Sequence, residues 1–107
     1  MSNFDNREKA FENKFAHDEE LRFKASVRRN KLLGLWAAEK LGKTGADAES
    51  YVRSVVEADF EEVGDEDVFR KIRRDFDAAK VEQSDHQIRH AMNEMMGVAA
   101  EQIKAGK

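Results

Sequence analysis

The chain has 107 residues, room for one hydrophobic core but not two, with 38% charged residues and a net charge of -3. Both signs are interspersed, so no single-sign field draws in nucleic acid over long range, and the lack of cysteine excludes a disulfide framework, a thiolate zinc site and a cysteine nucleophile. Met1 to Arg7 carry no apolar signal core and no run approaches the roughly 18 apolar residues of a membrane span, so the expectation is a soluble, cytoplasmic protein without membrane insertion.

The first long segment, Phe4 to Leu41, holds no proline and no glycine before Gly34. On a helix, Phe4, Phe11 and Phe15 share one narrow seam, flanked by Asp5, Arg7, Glu8, Lys9, Glu12 and Lys14. Further on, Leu21, Ala25, Leu32 and Trp36 form a second stripe turned away from the first, broadened by Phe23, Val27 and Leu41. One straight helix cannot bury both against the same partner. Three large apolar groups among so many charges do not offset a backbone ordering cost of about 1 to 2 kcal/mol per residue. Residues 1–20 are therefore expected to be a mobile partner-binding segment that becomes helical against a groove accepting the three phenylalanines, with residues 21–107 as the folded body. The bland alternative is that the segment folds back on that body.

Punctuation along the rest of the chain predicts four helices. Gly42-Lys43-Thr44-Gly45 ends the first, and Gly34 inside it marks either close helix packing or a bend. Thr44 with Asp47 resembles a capping box opening a second helix, whose apolar face is Ala48, Val52, Val55, Val56 and Phe60. After Gly64, the carboxylates of Asp65, Glu66 and Asp67 favour the start of a third helix, with Val68, Phe69, Ile72, Phe76 and Ala79 inward. Ser84 with Gln87 forms the clearest capping box, opening a fourth helix lined by Ile88, Ala91, Met92, Met95, Ala99 and Ile103. No stretch alternates with period two. The fold class expected is all-α, a small four-helix bundle with a flexible amphipathic N-terminal extension and antiparallel neighbours where the connections are short.

Candidate motifs are few. Gly42-Lys43-Thr44 copies the tail of a phosphate loop, but Ala37 stands where its first glycine belongs, on a helix rather than after a strand. His86 and His90 have the i, i+4 spacing of a zinc pair, with Glu82 and Glu94 in line, but no third ligand is specified. His17, before Asp18, Glu19 and Glu20, could sense pH at a partner surface. Arg28-Arg29-Asn30-Lys31 and Arg70-Lys71-Ile72-Arg73-Arg74 could meet phosphates, although neighbouring acids dilute both. Met92, Met95 and Met96 read as core filler. No nucleophile, carboxylate pair or metal cluster has the spacing that chemistry requires, which argues against an enzyme and against a metal site.

Longer words carry more. Phe4-Asp5, Arg7-Glu8-Lys9-Ala10-Phe11-Glu12, Lys14-Phe15-Ala16-His17-Asp18-Glu19-Glu20-Leu21, Arg28 through Ala38, and Gly64-Asp65-Glu66-Asp67-Val68-Phe69-Arg70-Lys71 resemble the zeta subunit of alphaproteobacterial F-type ATP synthases. The resemblance implies a four-helix bundle with a mobile N-terminal inhibitory segment. The implied partner is the catalytic sector, where the segment enters between the large alternating subunits, meets the central rotor and blocks rotation in the hydrolysis direction. It further implies that Phe4, Phe11 and Phe15 anchor the segment while Arg7, Glu8, Lys9, Glu12, Lys14 and His17 fix its orientation at the rim. The free protein is expected to be a monomer, peripheral to the inner membrane when bound. No cofactor is expected. Weak adenine-nucleotide contact by the bundle stays open on the resemblance, although no nucleotide motif is present.

Overall fold

A computed structural model describes residues 19–59 and 66–106, and among these every regular element is helical. The helices are α1 (Glu19–Lys40), α2 (Gly45–Ala58), α3 (Glu66–Ala78) and α4 (Asp85–Lys104), so the all-α, four-helix expectation holds. No helix among the described residues is long and apolar enough to cross a membrane. The predicted flexible extension lies outside the described residues.

Helix α1 is the centre of the packing, with its largest contacts to α2 and α4, while α3 bridges α2 and α4 more lightly. The core joins Leu33, Ala37 and Ala38 of α1 to Val55 of α2, Ile72 and Phe76 of α3, and Ile88 and Met92 of α4. Trp36 leans on Phe76 with ring centroids 5.6 Å apart. The buried stripe of α1 differs from the one expected. Ala25, Arg29, Leu33 and Ala37 are buried, whereas Leu21, Leu32 and Trp36 are only half-buried and Phe23 is 56% exposed. Because two helices press on α1, its buried arc is displaced toward small side chains that allow close approach, and apolarity alone does not rank an alanine above a leucine. Ala79 is exposed, lying beyond the end of α3, and Phe60 lies outside the described residues.

Gly34 marks close packing. A Cβ there would lie 2.9 Å from the Val52 Cα, so backbone meets backbone where α1 crosses α2. Gly34→Ala gains about 1 kcal/mol of helix propensity but must push the two helices apart, at about 1–3 kcal/mol. The expected result is a net loss of stability, read as a lower melting midpoint by circular dichroism; an unchanged or higher midpoint would show that the seam is slack.

The ends of the helices follow local chemistry. At the end of α1, Lys43 N donates to Ala38 O at 2.9 Å and Gly42 N to Glu39 O at 3.1 Å, with Gly42 at φ +74. This is a Schellman turn, which disposes of the phosphate-loop reading of Gly42-Lys43-Thr44. The same turn closes α3, where Val81 N reaches Phe76 O at 2.8 Å, but here Lys80 holds the left-handed position at φ 58. Lys80→Gly should stabilise the chain by up to about 1 kcal/mol, a shift measurable by urea denaturation. The Ser84 box forms as expected: Gln87 N donates to Ser84 Oγ at 3.1 Å and Ser84 N to Gln87 Oε1 at 2.8 Å. The Thr44 box does not form. Thr44 is the N-cap but its side chain makes no capping bond, and α2 instead starts from Gly45 at φ +55, a left-handed first residue that replaces the usual approach of the hydroxyl to the first amides.

Candidate functional site

The residues expected to contact a partner, Phe4, Arg7, Glu8, Lys9, Phe11, Glu12, Lys14, Phe15 and His17, all lie outside the described residues. What the structure describes is where that segment joins the body. Helix α1 begins at Glu19, and its first three turns run beside the last turn of α4, where Arg28 Nη1 donates to Gln102 Oε1 at 2.8 Å. Leu21, Phe23, Val27 and Lys31 of α1 border a groove of about 450 Å³ with Ile103 of α4. Phe23 stands two residues before buried Ala25, on the opposite side of the helix, which is why so large an aromatic is exposed at this end of the bundle.

The basic cluster Arg28-Arg29-Asn30-Lys31 is dispersed by the helix rather than presented as one patch. Arg28 reaches α4, Lys31 is exposed, and Arg29 turns inward as the largest fully buried side chain of the described residues. Arg29 Nε donates to Asn30 Oδ1 at 2.6 Å, and Nη2 lies 3.8 Å from Asp59 Oδ1 at the end of α2. Sequence reasoning missed this buried polar pair. The available signal was position: Arg29 stands four residues from both Ala25 and Leu33, on the core stripe.

The second basic cluster is mostly spent within the fold. Arg73 binds Asp77 at 2.6 Å, Asp85 at 3.0 Å and the Gln83 carbonyl at 2.7 Å, clamping α3 to the start of α4. Lys71 Nζ lies 3.0 Å from Asp75 Oδ2, which also accepts from the Tyr51 hydroxyl at 2.9 Å. Burial first, and then that hydrogen bond, push the Tyr51 phenol far above its ordinary value. A raised value in the folded state means that the contribution to stability is complete below the unfolded value near about 10 and is lost as pH rises above it. Tyr51→Phe should therefore flatten the fall in urea midpoint between about pH 9 and pH 11, and an identical fall in both proteins would refute the coupling.

His86 and His90 are exposed on α4, with His90 Nε2 3.2 Å from Glu94 Oε2, beside a hollow of about 380 Å³ floored by Trp36 and Met95. Among the described residues no group of three or more side chains could hold a metal ion. Met92 is buried and Met95 packs against the core, in keeping with their reading as filler.

Comparisons with known proteins place this bundle. A protein whose structure was solved in solution by NMR is 45% identical, over 81% of this chain and 99% of its own, with a TM-score of 0.71. No curated protein matches the chain. The family described as ATPase inhibitor subunit zeta matches residues 1–102, a span that takes in the N-terminal segment and all but the last two residues of α4. On that match the chain belongs to the ATPase inhibitor subunit zeta family.

Proposed function

We propose that the chain restrains ATP hydrolysis by an F-type ATP synthase by inserting residues 1–20 at a catalytic subunit interface, with residues 21–107 as the anchor. Phe4, Phe11 and Phe15 seat in the groove between the large alternating subunits, and Arg7, Glu8, Lys9, Glu12, Lys14 and His17 make charge-assisted contacts at its rim and with the rotor. The observation that carries the reading is that the family match begins at residue 1 and so includes the segment whose sequence carries Phe4, Phe11 and Phe15 on one helical seam. Its attachment supports this: α1 starts at the end of the bundle, beside an exposed Phe23, rather than on a flank closed by its neighbours. The protein works in the cytoplasm, held at the inner membrane only through the synthase.

The test is ATP hydrolysis by the cognate detached catalytic sector, titrated with the full chain and with a chain that begins after residue 20. Inhibition by the full chain alone is the expected result. Equal inhibition by both would move the inhibitory surface onto the bundle, and inhibition by neither would leave the chain as a helical adaptor.

A further inference from the structure

The first three turns of α1 carry two adjacent strips along the groove that ends at Ile103. Phe23, 56% exposed, and half-buried Val27 form an apolar strip. They stand eleven and seven residues before Gly34, on the side that Gly34 turns toward Val52, so they prolong the seat of α2 past its end at Ala58. Beside them Lys24, Arg28 and Lys31, spaced i, i+4 and i+7, form a basic strip. Viewed from the N-terminus of α1, the basic strip lies roughly a quarter turn clockwise of the apolar one.

The N-terminal segment carries the matching pattern in its sequence. Phe4, Phe11 and Phe15 share a seam, and on a helix Asp5, Glu8 and Glu12, spaced i, i+3 and i+7, lie roughly a quarter turn clockwise of it, while Arg7 and Lys14 fall on the other flank. Two helices whose flanks turn in the same sense bring those flanks together only when they lie face to face and antiparallel. A chain reversal just before α1 imposes that arrangement. The spacing agrees as well: Glu12 with Lys24, Glu8 with Arg28, and Asp5 with Lys31 are each centred on residue 18, one position before α1 begins at Glu19. Asp18 followed by Glu19 and Glu20 is also a helix-start sequence, which suits a reversal at that point. We propose that in the free protein residues 4–15 dock as an antiparallel helix on this face of α1, with the phenylalanines on Phe23 and Val27 and the carboxylates over the basic strip. The docking is argued from these residues alone; that its release governs inhibition rests on the proposed function. Exposed ion pairs and partly covered rings barely offset the ordering of a dozen residues, so docked and released forms stay within about tenfold of each other. The segment therefore lets go well before the bundle melts.

The chain has no cysteine, so Asn6→Cys, opposite the phenylalanine seam, takes a single nitroxide, and the isotopically labelled full chain reports its position through broadening of amide signals in NMR. Docking should concentrate the broadening on residues 27–33, and about 0.5 M salt should weaken it. Broadening that is greatest at Glu19 and decays along α1 would overturn the proposal, because a freely swinging segment gives that profile. Spin-labelled chain mixed with isotopically labelled chain lacking the nitroxide should show none; broadening there would assign the groove to a second copy instead. Lys24→Glu with Lys31→Glu should release the segment, and adding Asp5→Lys with Glu12→Lys should restore docking, whereas failure of the swap to restore it would refute the charge register. In the ATP hydrolysis assay the released variant should inhibit at a concentration lower by up to about tenfold, since none of it is held in the docked form. Inhibition by the parent without localised broadening would remove the docking and keep the proposed function; localised broadening without inhibition by either protein would do the reverse.

Discussion

Replacing Phe11 and Phe15 together by alanine should abolish inhibition of ATP hydrolysis at a concentration where the unsubstituted chain is saturating, while the thermal midpoint of the bundle should stay where it was. The reason is a separation of tasks along the chain. Each phenylalanine buried in a partner groove is worth about 1.5–3 kcal/mol, so losing both weakens binding by about two to four powers of ten. Among the described residues the core is built from Leu33, Val55, Ile72, Phe76, Ile88 and their neighbours, so the proposal expects no loss of stability from either substitution. The paired measurement is an inhibition titration and a melting curve on the same preparation. A midpoint that falls by many degrees would put these rings into the bundle and end the tethered-segment account.

Arg29→Ala should be among the most damaging single changes in the bundle, at about 3 kcal/mol. The side chain is 1% exposed and larger than any other fully buried group among the described residues, so truncation opens a cavity in the packing of α1. It also leaves the Asn30 carbonyl oxygen without its 2.6 Å donor and removes the cation 3.8 Å from Asp59. The Asp59 term is the smaller one, because that side chain is 18% exposed and water can take over part of the pairing. Arg29→Met separates volume from polarity. It refills most of the space, so a recovery to within about 1 kcal/mol of the parent would mean that packing dominates, and a loss equal to that of alanine would assign the cost to the polar partners. Urea denaturation with a constant m-value is the measurement, and a loss below about 0.5 kcal/mol for alanine would show that the site relaxes around the deletion.

The residues that announced helices did so through strong local signals. Ser84 with Gln87, Gly42 and the carboxylates before Val68 act within a single turn, and their geometry follows from chemistry that a short window contains. The packing of α1 was less legible, because which arc is buried depends on two neighbours pressing from different sides. Leucine and tryptophan advertise burial, yet Ala25, Ala37 and Ala38 are more deeply enclosed than Leu32 or Trp36 since helices approach most closely over small side chains. The burial of Arg29, read as part of a basic cluster, and of Asp67, read as a helix-start carboxylate, was not legible either: a one-dimensional pattern does not show a charge's partner, such as Asn30 or Arg70, beside it. The seam of Phe4, Phe11 and Phe15 was legible as a pattern, but it lies outside the described residues.

The position of α1 has a mechanical consequence. The helix that continues directly from the N-terminal segment is also the one that α2 and α4 grip most extensively, over 22 residues or about 33 Å. A tug on the segment therefore loads the bundle in shear along its best-packed axis, with many contacts sharing the force at once, instead of unzipping an outer helix one turn at a time. The interlock at Gly34 and Val52 acts as a detent against sliding, since α1 cannot advance past α2 without lifting backbone over backbone. A body strung this way resists a pull on its N-terminal end better than its modest size suggests.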